Sequence, residues 1–192
     1  MDNRIYFDRG WKFSEVFDEG MLSALMENGR DVYIPHTTKE VPFHYFDESE
    51  YQMICGYQRI IFADESWRQK RLLLTFDAVG HQSEVYLNGK KLREHFCGYT
   101  AFTVDITDEI RFGEDNLLTV KVNSREDIDQ PPFGFVIDYM TFGGIYRDVY
   151  LDIKDPVYIK DIFLMPHIDE GISTRGKSKE EISTMTTNGS LN

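Results

Sequence analysis

Two short stretches of sequence decide the fold of this chain: GYTAFTVDIT at Gly98–Thr107 and GGIYRDVYL at Gly143–Leu151. Each begins with a glycine-containing turn and continues as a run in which apolar and polar side chains alternate. Alternation with a period of two places apolar groups on one face of an extended strand and polar groups on the other. Both stretches therefore predict strands that cover a buried core with one face.

The same alternation recurs along much of the chain. It is clear at Val85–Leu87 and at Leu118–Val122, and further strands are expected over Tyr57–Ala63, Leu72–Phe76 and Tyr158–Leu164. Many short strands with almost no helical period predict an all-β, antiparallel β-sandwich.

Turn residues separate these runs. Asn88-Gly89 is a strong hairpin signal because both residues accept the positive φ angles of a type I′ turn. Gly113–Asn116 predicts a second turn. One short helix is expected at Met21–Asn28, with Gly29 as its C-terminal cap.

Composition excludes several classes of function. The formal net charge of −12 opposes binding to nucleic acid, whose affinity for proteins depends on Lys and Arg, and opposes binding to anionic membranes. The first residues show no basic segment followed by an apolar run, and no window reaches the ~20 apolar residues of a membrane helix. Cys55 and Cys97 do not make a disulfide framework, so we expect reduced thiols and a cytoplasmic protein.

Two stretches interrupt the strand pattern. Ser124–Phe142 contains Pro131-Pro132 and several aromatic residues, and a loop of this length inside a compact domain is more often functional than idle. Gly171–Asn192 is rich in polar residues and has few large apolar ones. We therefore expect a sandwich domain over residues 1–170, followed by a flexible tail or the remnant of a further domain over residues 171–192.

Residue types that commonly serve in catalysis or metal binding are present, but they do not have the spacing of known catalytic or metal-binding motifs. The five histidines are scattered, and none forms a metal-spaced pair with a cysteine or a carboxylate. No Ser-His-Asp arrangement, phosphate loop or zinc motif is found. We therefore expect no metal and no cofactor, and structural roles for the histidines, including His36 and His95.

Six motifs, in the same order along the chain, resemble the N-terminal sugar-binding domain of glycoside hydrolase family 2, the β-galactosidase and β-glucuronidase family. They are Gly10–Phe13, Ile34–Thr37, Gly56–Arg59, Phe76–Lys90, Glu94–Phe102 and the Gly143-Gly144 strand. Cys97 and Ala101 depart from the family pattern, where Gly and Pro are usual, and the insert Lys39–Met53 does not align well.

The resemblance implies a jelly-roll β-sandwich of the galactose-binding-domain type. In such enzymes an immunoglobulin-like domain and a (β/α)₈ barrel follow it, and the barrel carries two catalytic glutamates. Retaining hydrolysis needs an acid and a nucleophile about 5–5.5 Å apart. No carboxylate of this chain matches the family's catalytic motifs, so we expect no catalytic residue in it and no hydrolase activity from it alone.

One residue is implied to bind substrate. Asp138 lies nine residues before Arg147, and at this offset the resembling enzymes carry an Asp that reaches the sugar in the active site. The alternative is a solvated loop carboxylate. Arg147 and Asp148 are expected to be structural, with Arg147 among the inward-facing residues of a strand and therefore in need of a carboxylate partner.

The wider function is left with two alternatives. The first is a non-catalytic domain of a β-galactosidase-like enzyme, with a β-galactoside-like carbohydrate and a catalytic barrel as its partners and subunit contacts that would support a homo-oligomer. The second is a free-standing carbohydrate-binding or interaction module. A further set of aromatic residues is expected either to form a rim that stacks on a sugar or to pack the loops onto the sandwich: Tyr45, Phe46, Phe133, Phe135, Tyr139 and Phe142.

Overall fold

The structure, a computed structural model, describes residues 3–41, 44, 47–131, 133, 141–160 and 163. Contacts along the chain divide it into a unit of Met1–Lys154 and a second unit of Asp155–Asn192. The boundary expected after residue 170 and the tail over residues 171–192 lie outside the described residues and stay predictions.

The described residues form two antiparallel sheets. The four-stranded sheet has the order β1-β10-β5-β8, and the six-stranded sheet has the order β3-β2-β4-β9-β6-β7. The strands are β1 Asn3–Tyr6, β2 Trp11–Ser14, β3 Arg30–Val32, β4 Ile54–Phe62, β5 Arg71–Phe76, β6 Gln82–Leu87, β7 Lys90–Phe96, β8 Phe102–Asp105, β9 Asp115–Asn123 and β10 Val149–Lys154. The predicted all-β antiparallel sandwich is confirmed.

Helical structure in the described residues is limited to short 3₁₀ turns. They lie at Glu19–Leu22, Glu48–Glu50 and Glu65–Trp67. None of the described helices is long and apolar enough to cross a membrane.

Alternating positions of both sheets meet in one core. Their period-two pattern explains why β5 and β9 direct every second side chain into the core, while Thr75 and Thr119 are buried on the opposite face. The hydrophobic core positions of these two strands are Leu72, Leu74, Phe76, Leu118, Val120 and Val122. The hairpin turn is also as predicted, since Asn88 and Gly89 have φ angles of 50° and 83°.

The helix expected over Met21–Asn28 was wrong, since only a 3₁₀ turn at Glu19–Leu22 overlaps its first two residues. The sheet beneath this segment supplies the reason. The buried side chain of Gln58, on β4, donates to the backbone carbonyl of Ala24 at 2.9 Å and also to that of Met21, and accepts from the backbone N–H of Met26 at 2.6 Å. These backbone groups would otherwise continue an α-helix. A buried amide left without partners costs more than a turn of helix gains.

Two strand predictions also need correction. Tyr158–Lys160 form no strand, and Ile159 is 61% exposed; Asp161, Ile162 and Leu164 lie outside the described residues. The strand expected from Tyr146 begins at Val149 instead. Pattern alone does not reveal whether a neighbouring strand is available to pair.

Leu74→Ala tests the core. Leu74 is fully buried on β5, between Leu151 on one side and Val104 on the other, so its truncation should lower the free energy of unfolding by about 2–5 kcal/mol. Leu73→Ala, at the half-buried position next to it on the outer face, is the matched control and should cost much less. Urea denaturation of both variants makes the comparison, and equal losses would contradict the assignment of inner and outer faces.

Candidate functional site: the root of the long loop

The Ser124–Phe142 loop begins at a buried serine. The hydroxyl of Ser124 donates to the carbonyl of Tyr51 at 2.7 Å and accepts from the backbone N–H of Met53 at 3.0 Å. The backbone N–H of Ser124 donates to the carbonyl of Met53 at 2.9 Å. Ser124 is fully buried, so these bonds are shielded from water and hold the start of the loop to the segment just before β4.

The loop ends at two glycines that are bonded on both sides. The carbonyl of Gly143 accepts from the N–H of Thr38 at 3.0 Å. Gly144 and Gly80 exchange both backbone hydrogen bonds, at 2.9 and 3.1 Å, in an isolated antiparallel bridge. A Cβ atom on Gly143 would lie 2.2 Å from the Cβ of Ser124, so the two ends of the loop are in direct contact.

A side-chain hydrogen bond also connects residues near the two ends of the loop. The hydroxyl of Thr141, which is buried, donates to Glu126 at 3.2 Å. We call Ser124, Glu126, Thr141, Gly143 and Gly144 the loop root. Whatever the loop carries between these residues is attached to a rigid base.

A polar triad lies beside the loop root and consists of Arg30 on β3, His36 in the turn after β3, and Tyr57 on β4. Arg30 Nη2 lies 3.3 Å from His36 Nε2, and His36 Nδ1 lies 2.8 Å from Tyr57 Oη. A guanidinium can only donate, so Nε2 accepts and we assign the imidazole proton to Nδ1, which donates to Tyr57. The backbone of His36 also donates to the carbonyl of Ile145, next to Gly144.

The imidazole of His36 is neutral near pH 7. Burial lowers its pKa from 6.5 to about 4, the Arg30 guanidinium adds to the effect, and Glu40 opposes it. Burial likewise raises the pKa of Tyr57 well above its ordinary value. The triad therefore acts as a fixed set of dipoles rather than as a proton carrier.

His81 is a functional candidate that sequence reasoning did not separate from the other histidines. It is 4% exposed, it follows the Gly80 that bridges Gly144, and neither ring nitrogen has a hydrogen-bond partner among the described residues. Burial lowers the pKa of His81, with the nearby charge of Glu126 opposing the change. The alternation of β6 carries a signal for this orientation: His81 is two residues before the inward-facing Ser83, and residues two apart in an extended chain point to the same face.

The predicted site residues have different outcomes. Asp138 lies outside the described residues, as do Tyr45, Phe46, Phe135 and Tyr139 of the aromatic rim. The other two rim residues, Phe133 and Phe142, are 53% and 47% exposed. The rim and the role of Asp138 stay predictions.

The expectation that Arg147 faces inward was wrong. Arg147 is exposed, and its guanidinium lies 5.7 Å from the ring centroid of Tyr146. The reason is that β10 begins two residues later, so Arg147 is not yet held by the pairing that turns alternate residues inward. Asp148 is half-buried, and its backbone carbonyl accepts from the N–H of Asp77 at 3.0 Å.

Within the part of the chain that the structure describes, no three His, Cys, Asp or Glu side chains converge in a way that could hold a metal ion.

Residues 24–156 match the family described as glycosyl hydrolases family 2, sugar binding domain. The chain belongs to this family.

Relatives and solved structures agree with this assignment. A β-galactosidase of Thermoanaerobacter pseudethanolicus is 42% identical over 135 residues, which are 70% of this chain and 18% of that protein. A β-galactosidase of Thermoanaerobacterium thermosulfurigenes is 39% identical over 165 residues, 85% of this chain and 23% of the relative. The solved β-glucuronidase 2 of Bacteroides uniformis superposes with a TM-score of 0.75 at 26% identity, over 86% of this chain and 20% of that structure. The chain thus spans about a fifth of the proteins it matches.

His36 should make stability depend on pH in a predictable direction. Its pKa is lower in the folded state than in the unfolded state, so the unfolded state binds more protons between pH 6.5 and about 4. The contribution of His36 to stability is complete above 6.5 and is lost as the pH falls through about 4.

We therefore expect the free energy of unfolding of the wild type, minus that of His36→Gln, to decrease as the pH is lowered over this range. Taking the difference cancels the other buried histidines, which are common to both proteins. Urea denaturation in steps of pH measures it. A difference that stays constant across the range would mean that His36 is not protonated more easily in the unfolded chain.

Proposed function

We propose that this domain is the non-catalytic, sugar-binding part of a β-galactosidase-like glycoside hydrolase, with the Ser124–Phe142 loop contributing to the active site of a neighbouring (β/α)₈ barrel. The observation that carries the proposal is the loop root. Long loops on rigid scaffolds commonly carry binding groups, and a base fixed at Ser124 and Gly143 lowers the cost of ordering such a loop against a ligand. The jelly-roll connectivity implied by the family is part of the same proposal.

Glu84, a carboxylate on the outer sheet face, is in a state unsuited to acid catalysis. Burial acts to raise the pKa of Glu84, but hydrogen bonds from Lys121, Lys91 and Tyr86 outweigh it and lower the pKa to about 2. Lys121 and Lys91 each lie 2.7 Å from the carboxylate. A group that stays ionised and is held by two ammonium groups is a poor general acid for glycoside hydrolysis, which requires a protonated carboxyl.

The active-site contact is assigned to Asp138. An ionised carboxylate accepts hydrogen bonds from sugar hydroxyls, and a charge-assisted bond of this kind contributes about 1.5–3 kcal/mol. We propose that Asp138 makes such a bond with a β-galactoside in the assembled enzyme. The names of the relatives, β-galactosidases and β-glucuronidases, support this substrate class.

The setting we propose is cytoplasmic, without a cofactor and without nucleic acid or membrane as a partner. Both cysteines are free; Cys55 is buried, and burial raises the pKa of its thiol, which makes it unreactive. Association of the whole enzyme into a homo-oligomer belongs to the same proposal.

Asp138→Ala tests the proposed function in an enzyme that contains both this domain and the barrel. The change should reduce kcat/KM for an aryl β-galactoside by about 10-fold or more, because the lost bond is made to the bound sugar. The matched control is Asp129→Ala, an exposed carboxylate of the same loop, which should leave kcat/KM unchanged.

Two further measurements make the result interpretable. Asp138→Ala should leave the melting temperature of the isolated domain nearly unchanged, and a large decrease would indicate a structural residue. The isolated domain should not hydrolyse aryl β-galactosides or β-glucuronides. If the mutant enzyme is as active as its parent, Asp138 does not contact the substrate and the proposed role of the loop fails.

A further inference from the structure

A second concave surface lies beside the edge strand β3. It is a cleft of about 480 Å³, within the range of small-molecule sites, and we call it the edge cleft. The residues that carry the argument are Arg30, Tyr33, His36, Thr37, Glu40 and Tyr146. Loop-root residues do not line it, so it is a separate surface that adjoins the root through His36, Thr37 and Tyr146.

The edge cleft offers an aromatic ring to solvent. Tyr33 is 69% exposed, although Arg9 lies over its ring at 5.8 Å from the centroid. A large ring left this open contributes little to the stability of the domain. The ring of Tyr146 forms another part of the lining, and its position is fixed by a hydrogen bond from its hydroxyl to the carbonyl of Gly98. Aromatic rings with a polar tip suit ligands that have both an apolar face and hydroxyl groups.

The polar groups of the edge cleft are held in place before any ligand binds. His36 is fixed by Tyr57 on one ring nitrogen and by Arg30 on the other, at 2.8 and 3.3 Å. Arg30 is exposed and also lies over the ring of Phe13, at 5.4 Å from the centroid. Because a guanidinium has five N–H donors, Arg30 has donors left after the bond to His36. Preorganised donors and acceptors lower the ordering cost of binding.

The charges of the edge cleft indicate which ligands it suits. Arg30 is accompanied by the carboxylate of Glu40, and the carboxylate of Asp31 is occupied by Lys12 at 3.1 Å. The imidazole of His36 is neutral. The cleft therefore lacks the excess of positive charge that would select a phosphate or a uronic acid, and its mixture of donors and acceptors suits neutral hydroxyl groups.

We propose that the edge cleft binds a neutral saccharide of one or two pyranose units, stacked on Tyr33 and hydrogen-bonded by Arg30 and Glu40, with His36 holding Arg30 in position. This site goes beyond the proposed function, because it needs neither the Ser124–Phe142 loop nor a catalytic barrel. It gives the domain a sugar contact of its own, outside the active site.

The test is a titration of the 192-residue chain with methyl β-galactoside and with lactose, followed by NMR chemical shifts. We expect saturable shifts at Tyr33 and His36, and weaker binding of glucuronate than of the neutral sugars. Tyr33→Ala should weaken binding by at least about 10-fold. Phe62→Ala removes a ring that is 58% exposed on β4 and outside the cleft, so it is the matched control and should bind like the wild type.

Several results would overturn the proposal. They are the lack of saturable binding by either neutral sugar, binding that is unaffected by Tyr33→Ala, and preferred binding of glucuronate. Loss of activity in the whole enzyme on Tyr33→Ala, without saccharide binding by the chain, would identify the cleft as a surface that docks another domain. Asp138→Ala should leave binding to the cleft unchanged, so failure of this site and failure of the active-site role of the loop are observed separately.

Discussion

The structure depends on a close approach of backbones at Gly143-Gly144 that a side chain would prevent. A Cβ atom on Gly144 would lie 2.7 Å from both the carbonyl of His36 and the hydroxyl of Tyr57, and the residue has a φ of 109°. L-residues with a side chain rarely adopt this φ, and the space is already filled by buried polar groups. Glycine at this point lets one segment bond to Thr38 on one side and to Gly80 on the other.

That contact joins parts of the fold that are distant in sequence. The turn after β3, the segment just before β4, the segment before β6 and the segment before β10 all meet at the loop root. Because each bond is buried or partly buried, its loss would leave an unsatisfied polar group, which costs about 1–3 kcal/mol. The sandwich therefore presents a rigid base for a long loop, and this rigidity links the fold to the proposed sugar contact.

Local signals were predicted well from the sequence. The alternation in β5, β6 and β9 and the Asn88-Gly89 turn are encoded by neighbouring residues, so the pattern alone defines them. The failures have a common physical origin in partners far along the chain. Gln58 takes the backbone groups of Met21 and Ala24 away from a helix, and the start of β10 leaves Arg147 exposed.

At the candidate site, too, local features were predictable from the sequence and contacts between distant residues were not. The Ser124–Phe142 loop and its closing glycines were visible in the sequence as a break in alternation. The bond between His36 and Tyr57 was not, because it joins residues 21 positions apart that only the pairing of β2 with β3 and β4 brings together. The alternation of inward- and outward-facing residues in β6 predicts that His81 points inward. That pattern does not distinguish a histidine of the core from a histidine of a functional site.

The central claim is that the loop root is rigid, and amide hydrogen exchange of the domain tests it most directly. The backbone N–H groups of Thr38, Gly80, Ser124 and Gly144 each make a hydrogen bond in which one partner is a loop-root residue. They should exchange as slowly as amides in the middle of β4 and β9, and open only with global unfolding. The amide of Ile128, a loop residue that is 78% exposed, should exchange much faster. Exchange of these four amides at the rate of Ile128 would contradict the account, because the loop would then lack a fixed base.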